Sequence, residues 1–338
     1  MNKILCLFSV VFLSLNLIAH GNEKLGEVTL DPSQVIGYET CQKCHGMEIA
    51  VWKQTPHFET YRSLHRKPEA KEIAEKMGIR SIKRGELCVK CHYTQQESGG
   101  RTKAISGISC ESCHGAAKNL IAIHNDYGGP TATKSSETPE HKKERIANSI
   151  KNGMRNPENV YLVARSCFNC HTVPEEKLVN VGGHKAGSEG FEFVAWSQGM
   201  IRHNFLRTDY ASNAVSAPDR IRVMYVAGLM AELEFSLRAT AKATVRGDYG
   251  VASAKRAFAV RAKLAEIQDK INNPLLTRAL DAAYGIKLKT NNPDELNLAA
   301  DQISSAGVEF AETVSGGTLS AVDSYLPDPS QYKTAPSN

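Results

Sequence analysis

The sequence predicts a mainly α chain in two unlike halves: an irregular first half, to about residue 210, and a C-terminal helical bundle. Three observations predict it. One pentapeptide recurs four times, as Cys41-Gln-Lys-Cys44-His45, Cys88-Val-Lys-Cys91-His92, Cys110-Glu-Ser-Cys113-His114 and Cys167-Phe-Asn-Cys170-His171. Every His and every Cys precedes residue 210. From about residue 216 onward, apolar residues return at helical spacing.

Residues 1–21 read as a secretory signal peptide: Lys3, an uncharged run over 4–18, then Ala19-His20-Gly21 as a small-x-small cleavage site. The run is short for a membrane anchor, which needs about 20 apolar residues. Cys6 lies inside it and is expected to leave with the signal. Export to the periplasm is expected, with no membrane span after cleavage.

Residues 22–210 hold all four repeats. C-x-x-C-H is the attachment signature of c-type haem, in which two thiols form thioethers and the adjacent His lies under the iron. All eight remaining cysteines are used, two per repeat. A zinc ribbon would pair two C-x-x-C units around one metal with no reason for the following His, and a disulfide framework leaves the histidines unexplained. The expected unit is a multihaem cytochrome c fold with little regular structure around four covalently bound haems. Glycine pairs such as Gly99-Gly100, Gly128-Gly129 and Gly182-Gly183 mark loops, so the porphyrins must supply much of the core.

What faces each iron opposite its proximal His decides the chemistry: a second His gives a low-spin electron-transfer centre, an open face a site for a small molecule. Besides the proximal His45, His92, His114 and His171, six histidines remain after cleavage. His57, in Trp52-Lys-Gln-Thr55-Pro-His57, sits on a predicted helix near the first repeat. His124 follows His114 by ten residues. His203 lies near the start of the helical half, and His184 lies in a glycine-flanked loop. These four are the candidate distal ligands. His65 and His141, among Lys and Arg, read as surface residues.

Residues 211–320 read as a haem-free helical domain. Ser216 is a candidate N-cap before Pro218, with Gly247 closing that helix. Val260, Leu264, Ile267 and Ile271 mark a second helix ending at Asn273-Pro274. A third carries Leu276, Leu280 and Tyr284. A fourth, after Asn292-Pro293, aligns Leu296, Ala299, Ile303, Ala306, Phe310 and Val314. Such segments form an antiparallel bundle or pack on the haem half. Met224 and Met230 fit the apolar pattern as packing residues. Residues 321–338, with Pro327, Pro329 and Pro336, read as an extended tail.

The formal charge of +5 is offset by two propionates per haem, so nothing argues for nucleic acid. Local patches are expected to govern docking of redox partner proteins.

Residues 38–205 resemble the tetrahaem cytochrome c-554 family. The likeness rests on C-x-x-C-H followed by Trp52-x-x-Thr55-x-His57, on Gly107-Ile-Ser-Cys110-Glu-Ser-Cys113-His114-Gly115 followed by His124, and on the motif spacing. It implies closely packed haem pairs, three bis-His irons and one five-coordinate, and electrons taken from hydroxylamine oxidoreductase and passed on. It implies His57 and His124 as distal ligands, His203 as the match for a third, and an open haem on His92. The long helical half departs from the family, and His184 is an additional candidate for the fourth iron.

Three functions are compatible with these residues. The first is a periplasmic tetrahaem electron carrier, which is not an enzyme. The second is a redox enzyme for nitric oxide, hydroxylamine or a similar small molecule at a five-coordinate haem, with Tyr93, His141 or His184 as proton donors; no C-x-x-C-K motif is present. The third is a structural subunit of a haem-containing assembly, with the C-terminal helices as a surface for oligomerisation.

Overall fold

The computed structural model describes residue 25 and residues 28–334. The expected signal peptide, with Cys6, lies outside the described residues. The chain is mainly helical, as the sequence predicts.

The first half is a run of short helices. α1 (Tyr38–Cys41), α2 (Gly46–Trp52) and α3 (Pro56–Ser63) surround the first repeat. Thr55 caps α3, its hydroxyl accepting from the Phe58 N–H, with Pro56 in the first turn. Thr55-Pro56-His57 thus fixes His57 at a helix start. α4 (Pro68–Lys76) and α5 (Glu86–His92) lead to an antiparallel hairpin, β1 (Thr94–Ser98) and β2 (Arg101–Ser106). Gly99 and Gly100 turn it, at φ +58° and +70°, the left-handed conformations that a two-residue hairpin loop requires. α6 (Cys110–His114), α7 (Ile121–His124), α8 (Pro139–Lys151), α9 (Val160–His171), α10 (Glu176–Asn180) and α11 (Phe193–Ser197) complete this half.

α5, α6 and α9 each end on the histidine of a repeat. On a helix, positions i, i+3 and i+4 share a face. Both thiols and the histidine of such a repeat are therefore presented to one side.

The second half is α12 (Pro218–Ala241), α13 (Asp248–Ile271), α14 (Pro274–Tyr284) and α15 (Pro293–Thr313), the four helices expected. Two caps differ. Ala217 is the N-cap of α12, while Ser216 turns its hydroxyl to the Asn204 amide. Gly247 opens α13, because α12 has already ended at Ala241. α12 is the hub, packed against α9, α13 and α15. It is buried without a break from Met224 to Ala231, as befits a helix apolar all round.

The expected division near residue 210 does not divide the core. Val160, Tyr161, Ala164 and Phe168 of α9 belong to the same apolar cluster as the bundle. α15 approaches α9 so closely that a Cβ on Gly307 would meet the Tyr161 ring at 2.1 Å. Beneath this contact lies the fully buried Glu234. It accepts from Tyr161 Oη at 2.8 Å, from Arg165 Nε and Nη2 at 3.0 Å each, and from Arg238 Nε at 2.9 Å. Arg238 Nη2 also reaches Asp301 at 2.9 Å.

The C-terminal stretch expected as an extended tail is instead wound and packed as far as it is described. A 3-10 segment spans Gly316–Tyr325, with Leu319 and Val322 buried. Lys333 donates its N–H to the Ala195 carbonyl at 3.0 Å. Prolines 327 and 329 redirect the chain here without freeing it from the core. No helix among the described residues is long and apolar enough to cross a membrane.

Candidate haem sites

The eight histidines singled out by sequence meet in four pairs, each joining one repeat histidine to one outside the repeats. Ring centroids are 6.4 Å apart for His45–His124, 6.3 Å for His171–His57, 6.3 Å for His92–His184 and 6.1 Å for His114–His203. Metal–imidazole bonds run to about 2 Å. Two imidazoles on opposite faces of one ion therefore hold their centroids roughly 6.3 Å apart, each ring adding its own radius. All four pairs sit at that span.

Two placements differ from expectation. His57, expected near the first repeat, faces the fourth through His171. His184 stands opposite His92, where the family resemblance implied an open face. His65 and His141 join no pair. His141 Nδ1 lies 2.8 Å from Glu137 Oε1.

Nδ1 of five rings is already engaged. His114 donates to the Arg155 carbonyl at 3.3 Å, His124 to Leu120 O at 3.0 Å, His184 to Lys185 O at 2.8 Å and His203 to Ile201 O at 2.6 Å. His171 Nδ1 is 2.8 Å from Ser188 Oγ. Such bonds fix the tautomer and leave Nε2 as the free donor atom. Burial favours the neutral form, which a metal ligand requires, at five of the eight histidines. It lowers His171 to about 3, and His92 and His114 to about 4, with nearby histidines adding to the shift. His45 and His57 are lowered by burial too.

None of the eight repeat cysteines is paired in a disulfide. Among the described residues no group of three or more His, Cys, Asp or Glu is arranged to hold a metal ion. The histidines come in twos, which fits a ring that fills the equatorial positions itself. The repeats also lie side by side. Trp52, after the first, donates Nε1 to Ile108 O, just before the third, at 2.7 Å. Ser166 Oγ, beside the fourth, donates to Cys113 O of the third at 3.0 Å, and Cys170 Sγ of the fourth lies 3.9 Å from Lys90 O of the second. The repeats thus run in space as first, third, fourth, second.

Residues 40–115 match the family model of cytochrome c554 and c-prime. The chain is also 31% identical over 111 residues to cytochrome c-554 of Nitrosomonas europaea, a match covering 30% of this chain and 47% of that protein. Both matches point to a likeness to the cytochrome c-554 family over this segment. That likeness implies covalently bound c-type haem. The family segment contains the first three repeats and His57. The fourth repeat, His124, His184 and His203 lie beyond it. The match spans about half the length of the curated relative. No solved structure matches the chain.

The bonds that brace these histidines are not legible in the sequence, even for Trp52 and Glu111 within the motifs, since most act across long separations. Glu111, inside the third repeat, accepts from the N–H groups of Ile36, Gly37 and Ala117 at 2.9–3.0 Å. Trp52 Nε1 donates to Ile108 O at 2.7 Å. Arg155 Nε donates to Cys113 O at 2.9 Å. Arg256 ties α13 to the fourth repeat, donating to His171 O at 3.0 Å while Glu232 holds its Nε at 2.7 Å.

Arg145 holds His124 in place. Its Nη1 donates to His124 O at 2.8 Å, and Nε and Nη2 grip Glu137 at 2.7 and 2.6 Å. These bonds, with a smaller contribution from His141, hold the Glu137 carboxyl down at about 2. A carboxylate lowered on folding stabilises the fold fully above its unfolded value, about 4.3. That stability drains away as pH falls from there toward 2. The melting temperature of wild type should therefore exceed that of Glu137→Gln at pH 7, and the gap should close between about pH 4 and 2. A gap that is unchanged at pH 3 would contradict this role.

Proposed function

We propose that the chain is a periplasmic tetrahaem electron carrier, with one haem clamped by each of the four histidine pairs. The single observation that carries this reading is the fourfold recurrence of one ring-to-ring span. Cys41 and Cys44, Cys88 and Cys91, Cys110 and Cys113, and Cys167 and Cys170 would form the thioethers. When bound, haem supplies a reversible one-electron change between ferric and ferrous iron.

The chain's own residues do the rest. Paired imidazoles present Nε2 from both sides, and the Nδ1 bonds of five of them keep those rings from turning. A haem held between two histidines would have no face open to a small substrate, so these residues favour transfer over catalysis. The spatial order of the repeats places the first and second at opposite ends of a continuous series. The helical half braces that series at the fourth repeat, through Arg256 and through α9. The signal-like segment supports export, where covalent haem attachment takes place.

Electron paramagnetic resonance of the ferric holoprotein tests the reading. Four low-spin centres are expected, with no spectral change when the reduced protein meets carbon monoxide. One equivalent of high-spin iron, with a carbon monoxide shift to match, would replace the carrier by a ligand-binding enzyme.

A further inference from the structure

We propose that the surface built by residues 62–90, beside the second repeat, is the docking face for an acidic redox protein. Partner carboxylates would seat among Lys71, Arg80 and Lys83. The inference rests on the electron-carrier reading and adds where electrons enter or leave.

The charge is concentrated here. Residues 62–90 hold nine Lys and Arg against four Glu, a surplus equal to the +5 of the entire chain. Two of the four acids are paired, Glu72 with Lys76 at 2.7 Å and Glu86 with Lys90 at 3.7 Å. Among the described residues, no carboxylate lies within 4.0 Å of the side-chain nitrogens of Lys71, Arg80 or Lys83. Lys71 and Arg80 are exposed.

The same residues line a recess of about 550 Å³, together with His65, Ser81 and Glu75. Glu75 is the one acid at its rim. The cations work against one another. Lys83 is lowered by burial and then by Arg66, and His65 by burial and then by Lys83, Arg66 and Lys71. Incoming carboxylates would relieve that repulsion.

The recess also leads to the second repeat. Ala74 and Ile82, which line it, share a small apolar cluster with Val89 and Tyr93, and Cys88 packs against that cluster. Lys83 Nζ sits 3.8 Å from the centre of the Tyr61 ring, and Tyr61 lies edge-on to Tyr93 at 6.3 Å. One layer of side chains thus separates the basic surface from Cys88 of the second repeat. The second repeat stands at one end of the spatial series, where a port belongs.

The test is stopped-flow reduction of the ferric holoprotein by two probes: reduced flavodoxin as the acidic protein, and hexaammineruthenium(II) as a small cation. Wild type should react with flavodoxin at a rate that falls about tenfold or more from low to high salt. Lys71→Glu/Arg80→Glu/Lys83→Glu should lose about tenfold at low salt and most of that salt dependence. It should react with the ruthenium cation at least as fast as wild type. An unchanged flavodoxin rate, or equal losses with both probes, would overturn the docking face. Haem content and the low-spin spectrum, measured on both proteins, report separately on the histidine clamps.

Discussion

His184→Ala should turn one of the four irons high-spin and leave three untouched. The ring faces His92 at the same span as the other pairs, yet it sits on a loop between Gly182-Gly183 and Gly187 and not on a helix. Removing it opens one axial face with little else to rearrange, since its Nδ1 bonds only the carbonyl of the next residue. Ferric resonance spectra should lose a quarter of their low-spin intensity, and the reduced variant should bind carbon monoxide at one haem. His141→Ala, outside every pair, should change neither. Four intact low-spin centres in His184→Ala would remove His184 from the second site. The effect is large because axial ligation decides spin state outright.

Glu234→Ala should cost about 3–5 kcal/mol of stability, because it leaves Arg165 and Arg238 inside the core without their shared carboxylate. Tyr161 loses its acceptor as well. The damage should reach the haem half, since Tyr161 and Arg165 belong to the helix that ends in Cys167, Cys170 and His171. Denaturant unfolding should show the loss, and His171, the last residue of α9, should become easier to displace by added imidazole. A loss below about 1 kcal/mol would mean that this network sets specificity and not stability.

Local chemistry was legible in the sequence, and long-range partnership was not. The four repeats, the four C-terminal helices and the eight histidines of the pairs could be named because each announces itself within a few residues. Which histidine faces which depends on how distant segments cross. His57 therefore pointed to the neighbouring first repeat, although the fold carries it to the fourth. α9 reads as part of the haem half because its repeat dominates it, while Val160, Tyr161, Ala164 and Phe168 fasten it to the bundle. Ser216 and Gly247 are reasonable caps by residue type, but Ser216 bonds Asn204 and α12 stops six residues before Gly247. The supporting shell of Glu111, Arg145, Arg155 and Arg256 has no local signature. Each is an ordinary charged residue until the fold supplies its carbonyl or amide partners.

The central claim is that four histidine pairs each clamp one covalently attached haem. Intact mass spectrometry of the exported protein tests it most directly, with Cys88→Ser/Cys91→Ser measured beside it. The account predicts four haem additions on the wild-type chain and three on the variant. Fewer than four on the wild type, or four on the variant, would contradict it.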